Sequence, residues 1–383
     1  MWILIMYQRM INLESLLKKK SFFLFGPRST GKTTLIENQL NNCTIYDLLD
    51  AEVYRRLLKR PKLIAEEVQD PNKIIVIDEV QKFPSILDEV HRLIQKRNLR
   101  FLLTGSSARK LKRGAANLLA GRAWRADLFP LSFSEIPDFD LLGYLNTGGL
   151  PHILSNPEAE EELESYVGTY LKEEIQAEAL TRNIEAFAEF LDAIALINGK
   201  EINYESLASD CQVSTSTLKN YIQVLEDTLI GFRLPGFRKT KIRKAISRSK
   251  HYLFDIGIVN NLCQRSEIKP KSELFGNAFE HFIILETRAY NSYKRRNQKL
   301  SYWRSTSQME VDLIIGQKIA IEIKGSSLIS EKHLKGLRAL KEEGLFQRYI
   351  VVSLDPNERK TQENIEVIPW KVFLEYLWQG KLF

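Results

Sequence analysis

The sequence predicts an α/β protein in which a parallel sheet is followed by a helical region and then by a second α/β domain. Three observations lead to this prediction. An apolar strand, Phe22–Phe25, runs into a glycine-rich loop and a helical pattern; a second, Ile74–Ile77, ends in two acids; and two further strands surround Gly316. Apolar strands that alternate with helical patterns are typical of parallel sheets buried on both faces.

The loop after the first strand reads Gly26-Pro-Arg-Ser-Thr-Gly31-Lys32-Thr33 and fits the phosphate-binding pattern G-x-x-x-x-G-K-[ST]. The backbone N–H groups of this loop and the N-terminus of the helix behind it favour the binding of a phosphate chain. Lys32 is expected to reach the β- and γ-phosphates, and the Thr33 hydroxyl to ligate Mg²⁺. A chance glycine-rich turn is the alternative. The predicted nucleotide-binding residues are Gly26, Pro27, Arg28, Ser29, Thr30, Gly31, Lys32, Thr33 and Thr34.

Asp78 and Glu79 follow the strand Ile74–Ile77, whose carboxyl end should lie beside the loop in a parallel sheet. We expect Asp78 to hold the Mg²⁺ shell and Glu79 to polarise the attacking water. Two acids after a strand can also form a solvated turn, but the matched loop upstream argues against that. A carboxylate left free to act on water favours hydrolysis over transfer to an acceptor, which disfavours a small-molecule kinase.

A third strand, Phe101–Leu103, ends at Thr104-Gly105-Ser106-Ser107. We expect Ser106 to sense the γ-phosphate or orient the water, with Thr104 as the second choice. A serine-rich turn that caps the next helix is the alternative. Cys43–Leu49 and Gly121–Phe129 predict two further strands of the same sheet.

The 383 residues are enough for two or three domains with separate cores, and shifts in composition predict three. We expect a P-loop domain at 1–140, a helical lid and winged-helix domain at 141–250, and a third domain at 251–383. The three scattered cysteines indicate a reducing compartment. The apolar start, Met1–Tyr7, is too short to span a bilayer, so we expect a cytoplasmic protein without a membrane anchor.

Residues 202–234 predict a helix-turn-helix, with Tyr204–Asp210 as the first helix and Ser214–Asp227, capped by Ser214, as the second. The side chains expected in its core are Leu218, Tyr221, Ile222 and Leu225. The outward side chains that could bond bases or phosphates include Lys219, Asn220 and Gln223.

The stretch Arg233–Lys250 contains eight Lys/Arg and no acid. A basic hairpin behind a helix pair resembles a winged helix that contacts nucleic-acid backbone, so DNA is an expected partner. The alternative is a module that packs internally or contacts a protein partner.

The C-terminal third contains two strands, Glu310–Ile315 and Lys318–Lys324. Side chains alternate between the faces of a strand, so Glu322 and Lys324 share a face of the second one. Whether Asp312 joins that face depends on the turn between the strands.

A two-residue turn would pair Asp312 with Ile321 and put Glu322 on the opposite face. A three-residue turn centred on Gly316 would pair Asp312 with Ala320 and bring the acids together. We therefore expect an odd-length turn or a bulge, because only that arrangement allows a shared metal site.

This pattern, Asp312 followed by Glu322-x-Lys324, resembles the active centre of restriction-endonuclease-like nucleases. The resemblance implies that Asp312 and Glu322 hold Mg²⁺ and that Lys324 steadies the attacking water or the phosphate. It also implies that Glu280, on the amphipathic helix upstream, adds to the metal shell. Val311 replaces the proline that often precedes the Asp. The alternative is a nuclease-like scaffold whose acids are merely solvated.

Nearly the whole chain resembles an AAA-type P-loop ATPase family of bacteria and archaea, whose C-terminal half is a domain of unknown function, number 4143. The segments that carry the resemblance are Gly26–Thr34, Val76–Gln81, Leu103–Ser107, Pro130–Glu135 and Ile321–Lys324. The family implies ATP, Mg²⁺ and a C-terminal half with a winged helix and a nuclease-like domain.

Two functional hypotheses follow. In the first, ATP hydrolysis acts as a switch or motor that controls a DNA-binding or DNA-cleaving C-terminal half. In the second, a nucleotide-gated regulator grips a protein partner through a nuclease-like domain without catalysis. No arginine finger can be assigned, which leaves open whether a neighbouring subunit of an oligomer completes the ATPase site.

Overall fold

The computed structural model of this chain describes residues 7–107, 109, 119–171, 184–265 and 267–383. They form two compact units. The N-terminal unit holds the described residues between 7 and 131 together with Val224–Ile230, and the C-terminal unit holds those of Ser132–Gln223 and Gly231–Phe383. Among the described residues, every helix is too short or too polar to cross a bilayer.

The N-terminal unit is built on a five-stranded sheet. Its strands are β1 (Ser21–Phe25), β2 (Cys43–Asp47), β3 (Ile74–Asp78), β4 (Arg100–Gly105) and β5 (Ala123–Asp127). Its helices are α1 (Leu13–Lys19), α2 (Lys32–Gln39), α3 (Ala51–Lys59), α4 (Leu63–Glu67) and α5 (Ile86–Arg97). The strand order is β2-β3-β4-β1-β5 and all neighbouring strands are parallel.

The apolar strands occupy the middle of this sheet, as their composition requires. β1, β3 and β4 are almost entirely buried, whereas the edge strand β2 is partly exposed. In the register, Phe25 lies beside Gly105 and Ile77 lies beside Leu103. The carboxyl ends of β1, β4 and β3 therefore meet at one edge of the sheet, which is where parallel α/β sheets bind ligands.

The C-terminal unit contains a six-stranded mixed sheet of order β12-β13-β11-β10-β9-β8 and a two-stranded sheet of β6 and β7. These strands are β6 (Gly231–Leu234), β7 (Lys250–Leu253), β8 (Leu300–Arg304), β9 (Glu310–Ile315), β10 (Ile319–Lys324), β11 (Arg348–Ser353), β12 (Arg359–Lys360) and β13 (Glu366–Pro369). With one parallel and one mixed sheet, the predicted α/β fold class is confirmed.

The helices that follow Leu131 in the chain vary widely in length. They are α6 (Leu141–Thr147), α7 (Pro151–Leu154), α8 (Ala159–Ser165), the π-helical Tyr166–Leu171, α9 (Ile184–Leu196), α10 (Tyr204–Asp210), α11 (Thr215–Asp227), α12 (Ile256–Leu262), α13 (Glu273–Tyr293), α14 (Lys335–Lys341) and α15 (Trp370–Trp378).

The helix-turn-helix is present where the sequence predicts it. α10 has the expected bounds, and α11 begins one residue after Ser214, whose hydroxyl accepts a hydrogen bond from Thr217 N–H at 3.1 Å. The side chains expected in its core are buried, as predicted: Leu218, Tyr221, Ile222 and Leu225.

The basic stretch behind these helices differs from the hairpin that the sequence predicts. β6 and β7 pair antiparallel, but the connection 235–249 follows the edge strand β8. Phe237 N–H donates to Tyr302 O at 2.7 Å, and Ile246 N–H donates to Arg304 O at 2.8 Å. Lys250 is buried, so its inclusion among the DNA-contacting residues is wrong: its ammonium faces carboxylates inside the unit.

Glu286 is a buried carboxylate that connects three separate segments of the C-terminal unit. Its Oε1 accepts a hydrogen bond from Phe133 N–H at 2.7 Å, and its Oε2 accepts one from the Trp378 indole N–H at 2.7 Å. Burial raises the pKa of Glu286 to about 8; these two donors oppose the shift and the charge of Glu135 adds to it. The folded chain therefore binds this proton more tightly than the unfolded chain.

We expect Glu286→Gln to lower the thermal stability most at acidic pH. Because the folded-state pKa lies above the ordinary value of 4.5, the stabilisation is complete below that value and is lost as pH rises through about 8. The difference in Tm between wild type and variant should shrink between about pH 5 and about pH 8. Glu375→Gln, an exposed change on α15, is the control. A difference in Tm that does not vary with pH would contradict the raised pKa of Glu286.

Candidate functional site

The phosphate-binding loop is held in shape by its own polar groups. Gly31 adopts a left-handed conformation with φ of 86°, and the Thr30 hydroxyl donates to Pro27 O at 2.8 Å. Lys32 folds back over the loop, where its ammonium donates to Gly26 O at 2.8 Å and to Pro27 O at 3.1 Å. If a phosphate chain bound to the loop, its charged oxygens would accept stronger hydrogen bonds from the Lys32 ammonium than these neutral carbonyls do.

Packing around the loop explains its first glycine and reveals an arginine that the sequence did not indicate. A Cβ at Gly26 would lie 2.6 Å from Leu128 O, so a side chain does not fit there. Arg9 donates to Thr30 O at 2.7 Å and to Phe129 O at 2.6 Å, which braces the loop from outside the motif. The hydroxyl-bearing Thr33 is exposed at the first turn of α2.

Asp78 lies at the end of β3, where two groups orient its carboxylate. The fully buried Thr104 hydroxyl donates to Asp78 Oδ1, and Glu79 N–H donates to the same oxygen at 3.1 Å. Thr104, the second choice for the sensor, is thus in contact with the carboxylate expected to hold Mg²⁺.

Gln81 joins the two residues expected to act on the attacking water. Its Nε2 donates to Glu79 Oε2 and, at 3.1 Å, to Ser106 Oγ. Its Oε1 is buried without a partner among the described residues. Gly105 makes room for this amide, since a Cβ there would lie 2.2 Å from Gln81 Oε1. The sequence analysis assigns no role to Gln81; the signals for one are its position two residues after Glu79 and its place in the segment Val76–Gln81 that carries the family resemblance.

The turn between β9 and β10 has the odd length that the sequence predicts. It comprises the three residues 316–318, and the register pairs Ala320 with Ile314. The expected pairing of Ala320 with Asp312 is wrong by two residues, because the turn is centred on Gln317. Extending the register puts Asp312 opposite Glu322, so the two acids share a face.

Lys324 lies between these two carboxylates. Its ammonium is 2.7 Å from Glu322 Oε1 and 3.7 Å from Asp312 Oδ2, and Ile323 N–H donates to Asp312 Oδ2 at 2.7 Å. Burial raises the pKa of Asp312, and burial together with the charge of Asp312 raises the pKa of Glu322; Lys324 opposes both shifts.

Glu280 contacts other groups than the sequence suggests. Its Oε1 accepts from the Tyr252 hydroxyl at 2.7 Å and lies 3.0 Å from the ammonium of Lys250, which is also 2.7 Å from Glu310 Oε1. We refer to Glu280, Glu310, Asp312 and Glu322 as the acidic cluster.

In the acidic cluster, ammonium groups lie between the carboxylates and offset their negative charge. No three His, Cys, Asp or Glu side chains within the described ranges are grouped as for a metal ion. Lys324 and Lys250 each lie between two carboxylates instead. Glu322 Oε2, however, is buried and has no partner in the described part of the chain.

The predicted nucleic-acid contacts are on the surface apart from Lys250 and the half-buried Arg243. Lys219, Asn220 and Gln223 are exposed on α11, and the Lys219 ammonium lies 5.7 Å from the Tyr204 ring centre. Arg243 is bound to Glu342 and to Ala339 O. The exposed cations of the basic stretch are Arg233, Arg238, Lys239, Lys241, Lys244 and Arg248.

Three family models match consecutive parts of this chain. Residues 18–137 match the AAA domain, 138–269 match a domain of unknown function (DUF8612), and 275–373 match a second such domain (DUF4143). An AAA domain supports the binding and hydrolysis of ATP.

The chain is also similar to whole proteins. An uncharacterized protein of Mycobacterium tuberculosis is 27% identical over 79% of this chain and 70% of its own length. One of Methanocaldococcus jannaschii is 25% identical over 93% of this chain and 85% of its own length.

Solved structures with some likeness include the Aeropyrum pernix Orc1 protein in complex with DNA and the Bacillus subtilis DNA clamp loader delta protein. Each is 12% identical; the first covers 66% of this chain and 92% of its own, with a TM-score of 0.26. The second covers 56% and 86%, with a TM-score of 0.22. Scores this low carry no argument about function. The family models and the parallel sheet agree instead: residues 18–137 match the AAA domain and contain the parallel sheet, and residues 275–373 match the DUF4143 domain.

Proposed function

We propose that the N-terminal unit is a Mg²⁺-dependent ATPase, and that ATP turnover acts as a switch or motor for a DNA-binding C-terminal unit. The observation that carries the ATPase proposal is the amide of Gln81, which joins Glu79 to Ser106. The phosphate-binding loop and Asp78 end at the same edge of the sheet. A polar group that connects a candidate base to a candidate sensor has no evident purpose in a site that only binds.

In this proposal, Lys32 leaves the loop carbonyls for the β- and γ-phosphates. The Thr33 hydroxyl and the Asp78 carboxylate would hold Mg²⁺, and both are the oxygen ligands that this ion prefers. The bound ion would offset the charge that develops on the phosphate oxygens. Glu79 would polarise the attacking water, while Gln81 Oε1, which has no partner among the described residues, is available to accept a hydrogen bond from that water.

We expect Lys32→Ala and Glu79→Gln to abolish ATP turnover for different reasons. Lys32→Ala removes a charged contact to the phosphates and should weaken ATP binding. Glu79→Gln removes the base and should lower kcat by roughly 10²–10⁴-fold while ATP binding is retained. Steady-state hydrolysis and binding of a fluorescent ATP analogue measure the two effects. Equal losses of binding in both variants would contradict the role of Glu79.

We expect Gln81→Ala to lower kcat about tenfold with little change in nucleotide affinity, because about 1.4 kcal/mol is the order of one lost hydrogen bond. The matched control is Gln69→Ala, since Gln69 is exposed and donates only to Glu66 O among the described contacts. If Gln81→Ala hydrolyses ATP at the wild-type rate, the amide does not orient Glu79 or water.

A second candidate function, metal-dependent cleavage of nucleic acid, is favoured by Glu322 Oε2. This oxygen is buried beside Asp312 and lacks a partner among the described residues, as a ligand awaiting a cation would. Asp312 and Glu322 would hold the divalent ion, and Lys324 would steady the attacking water or the phosphate. The exposed cations of the basic stretch, with Lys219, Asn220 and Gln223, would bind the DNA backbone and bases. The alternative remains a regulator that binds a protein partner without cleavage.

We expect Glu322→Ala to lose Mg²⁺- or Mn²⁺-dependent cleavage of linear and plasmid DNA while ATP turnover is unchanged. Lys32→Ala should remove only the effect of ATP on cleavage. Glu331→Ala, an exposed acid in the same unit, is the control. If the wild type hydrolyses ATP but cleaves nothing with either metal, the regulator becomes the better explanation.

A further inference from the structure

Lys250 is the most deeply enclosed cation of the acidic cluster. Only 5% of its side chain is exposed, and its ammonium lies 3.0 Å from Glu280 Oε1 and 2.7 Å from Glu310 Oε1. The Tyr302 ring centre is 5.3 Å away, which adds an aromatic face to the two carboxylates. The ammonium thus bridges two carboxylates, which is the position that a bound cation would take.

We propose that Lys250 is a built-in cation that takes the place of a second metal ion. Together with the Arg304 guanidinium, 3.6 Å from Glu310 Oε2, it offsets the charges of Glu280 and Glu310, so that a divalent ion is confined to Asp312 and Glu322. In this assignment Glu280 is the counter-ion of Lys250 and not a metal ligand. The inference builds on the metal site of the second candidate function and adds its stoichiometry, one ion for each C-terminal unit.

The charges of the cluster agree with a single divalent ion. Four carboxylates face three cations, the Lys250 and Lys324 ammonium groups and the Arg304 guanidinium 3.6 Å from Glu310 Oε2, so the fully ionised cluster has a net charge of −1. A charge this small favours one divalent ion over two. Of the two halves, only the one containing Glu322 has a fully buried carboxylate oxygen without a partner within the described residues. The half containing Glu280 and Glu310 is already bridged by the Lys250 ammonium.

The backbone keeps Lys250 in this position. It is the first residue of β7 and pairs with Leu234 of β6. Tyr252, two residues later on the same face of β7, donates to the same Glu280 oxygen. Because a partly buried carboxylate that loses its counter-ion is costly, loss of the Lys250 charge should leave Glu280 and Glu310 with only Arg304 nearby, a negatively charged pocket that attracts a divalent cation.

The test is the stoichiometry and affinity of Mn²⁺ binding to the full-length protein without nucleotide, measured by calorimetry and by electron paramagnetic resonance. We expect the wild type to bind one ion that Asp312→Asn loses. Glu280→Gln should still bind one ion, as the wild type does, because Glu280 is not a ligand in this assignment. Lys250→Met should bind a second ion, and Lys250→Met combined with Glu280→Gln should lose it again.

If Glu280→Gln loses the ion as Asp312→Asn does, the proposal is overturned, because Glu280 would then be a ligand. Two ions in the wild type would overturn it as well. Both of these outcomes are measured without Lys250→Met, so they do not require that variant to fold. If Asp312→Asn binds Mn²⁺ like the wild type, the metal site of the second candidate function fails. The role of Lys250 is then decided by Lys250→Met alone. An extra ion bound by Lys250→Met supports that role, and no extra ion refutes it.

Discussion

Parallel pairing of β1 with β4, and of β4 with β3, is the constraint on which the N-terminal site depends. It aligns the ends of three strands that are far apart in sequence, so that the loop, Asp78 and Ser106 lie at one edge. The same packing excludes side chains at Gly26 and Gly105, where Leu128 O and the Gln81 amide fill the space. At this edge of the sheet, the Gln81 amide therefore both fills the space beside Gly105 and joins Glu79 to Ser106.

The C-terminal unit depends on charge compensation instead of on strand ends. Asp312 and Glu322 are buried beside the sheet, and burial alone would favour their protonated forms. Lys324 lies between these two carboxylates and opposes this effect, and Lys250 lies between the carboxylates of Glu280 and Glu310. Removing one partner of such a pair leaves an uncompensated charge, which is more destabilising than removing both. The lysines are for that reason as much a part of the cluster as the acids.

Features set by local sequence were predictable, and features set by distant contacts were not. The loop at Gly31, the cap at Ser214 and the odd turn after Ile315 follow from short-range patterns. The contact of Gln81 with Ser106 requires the pairing of β3 with β4 and a left-handed Glu79, with φ of 54°. Neither condition is visible in a motif. The exact register of β9 with β10 likewise depended on which three residues form the turn.

Lys250 shows why composition alone misleads in the basic stretch. In sequence it is one of eight cations, and nothing local separates it from Arg248. The fold separates them, because the connection 235–249 lies along β8 and so covers the exposed edge of the six-stranded sheet. This arrangement leaves six cations at the surface and places one ammonium between Glu280 and Glu310. One segment thus supplies positive charge both to the surface and to the acidic cluster, and the two contributions can be separated by substituting Lys250 or the exposed cations alone.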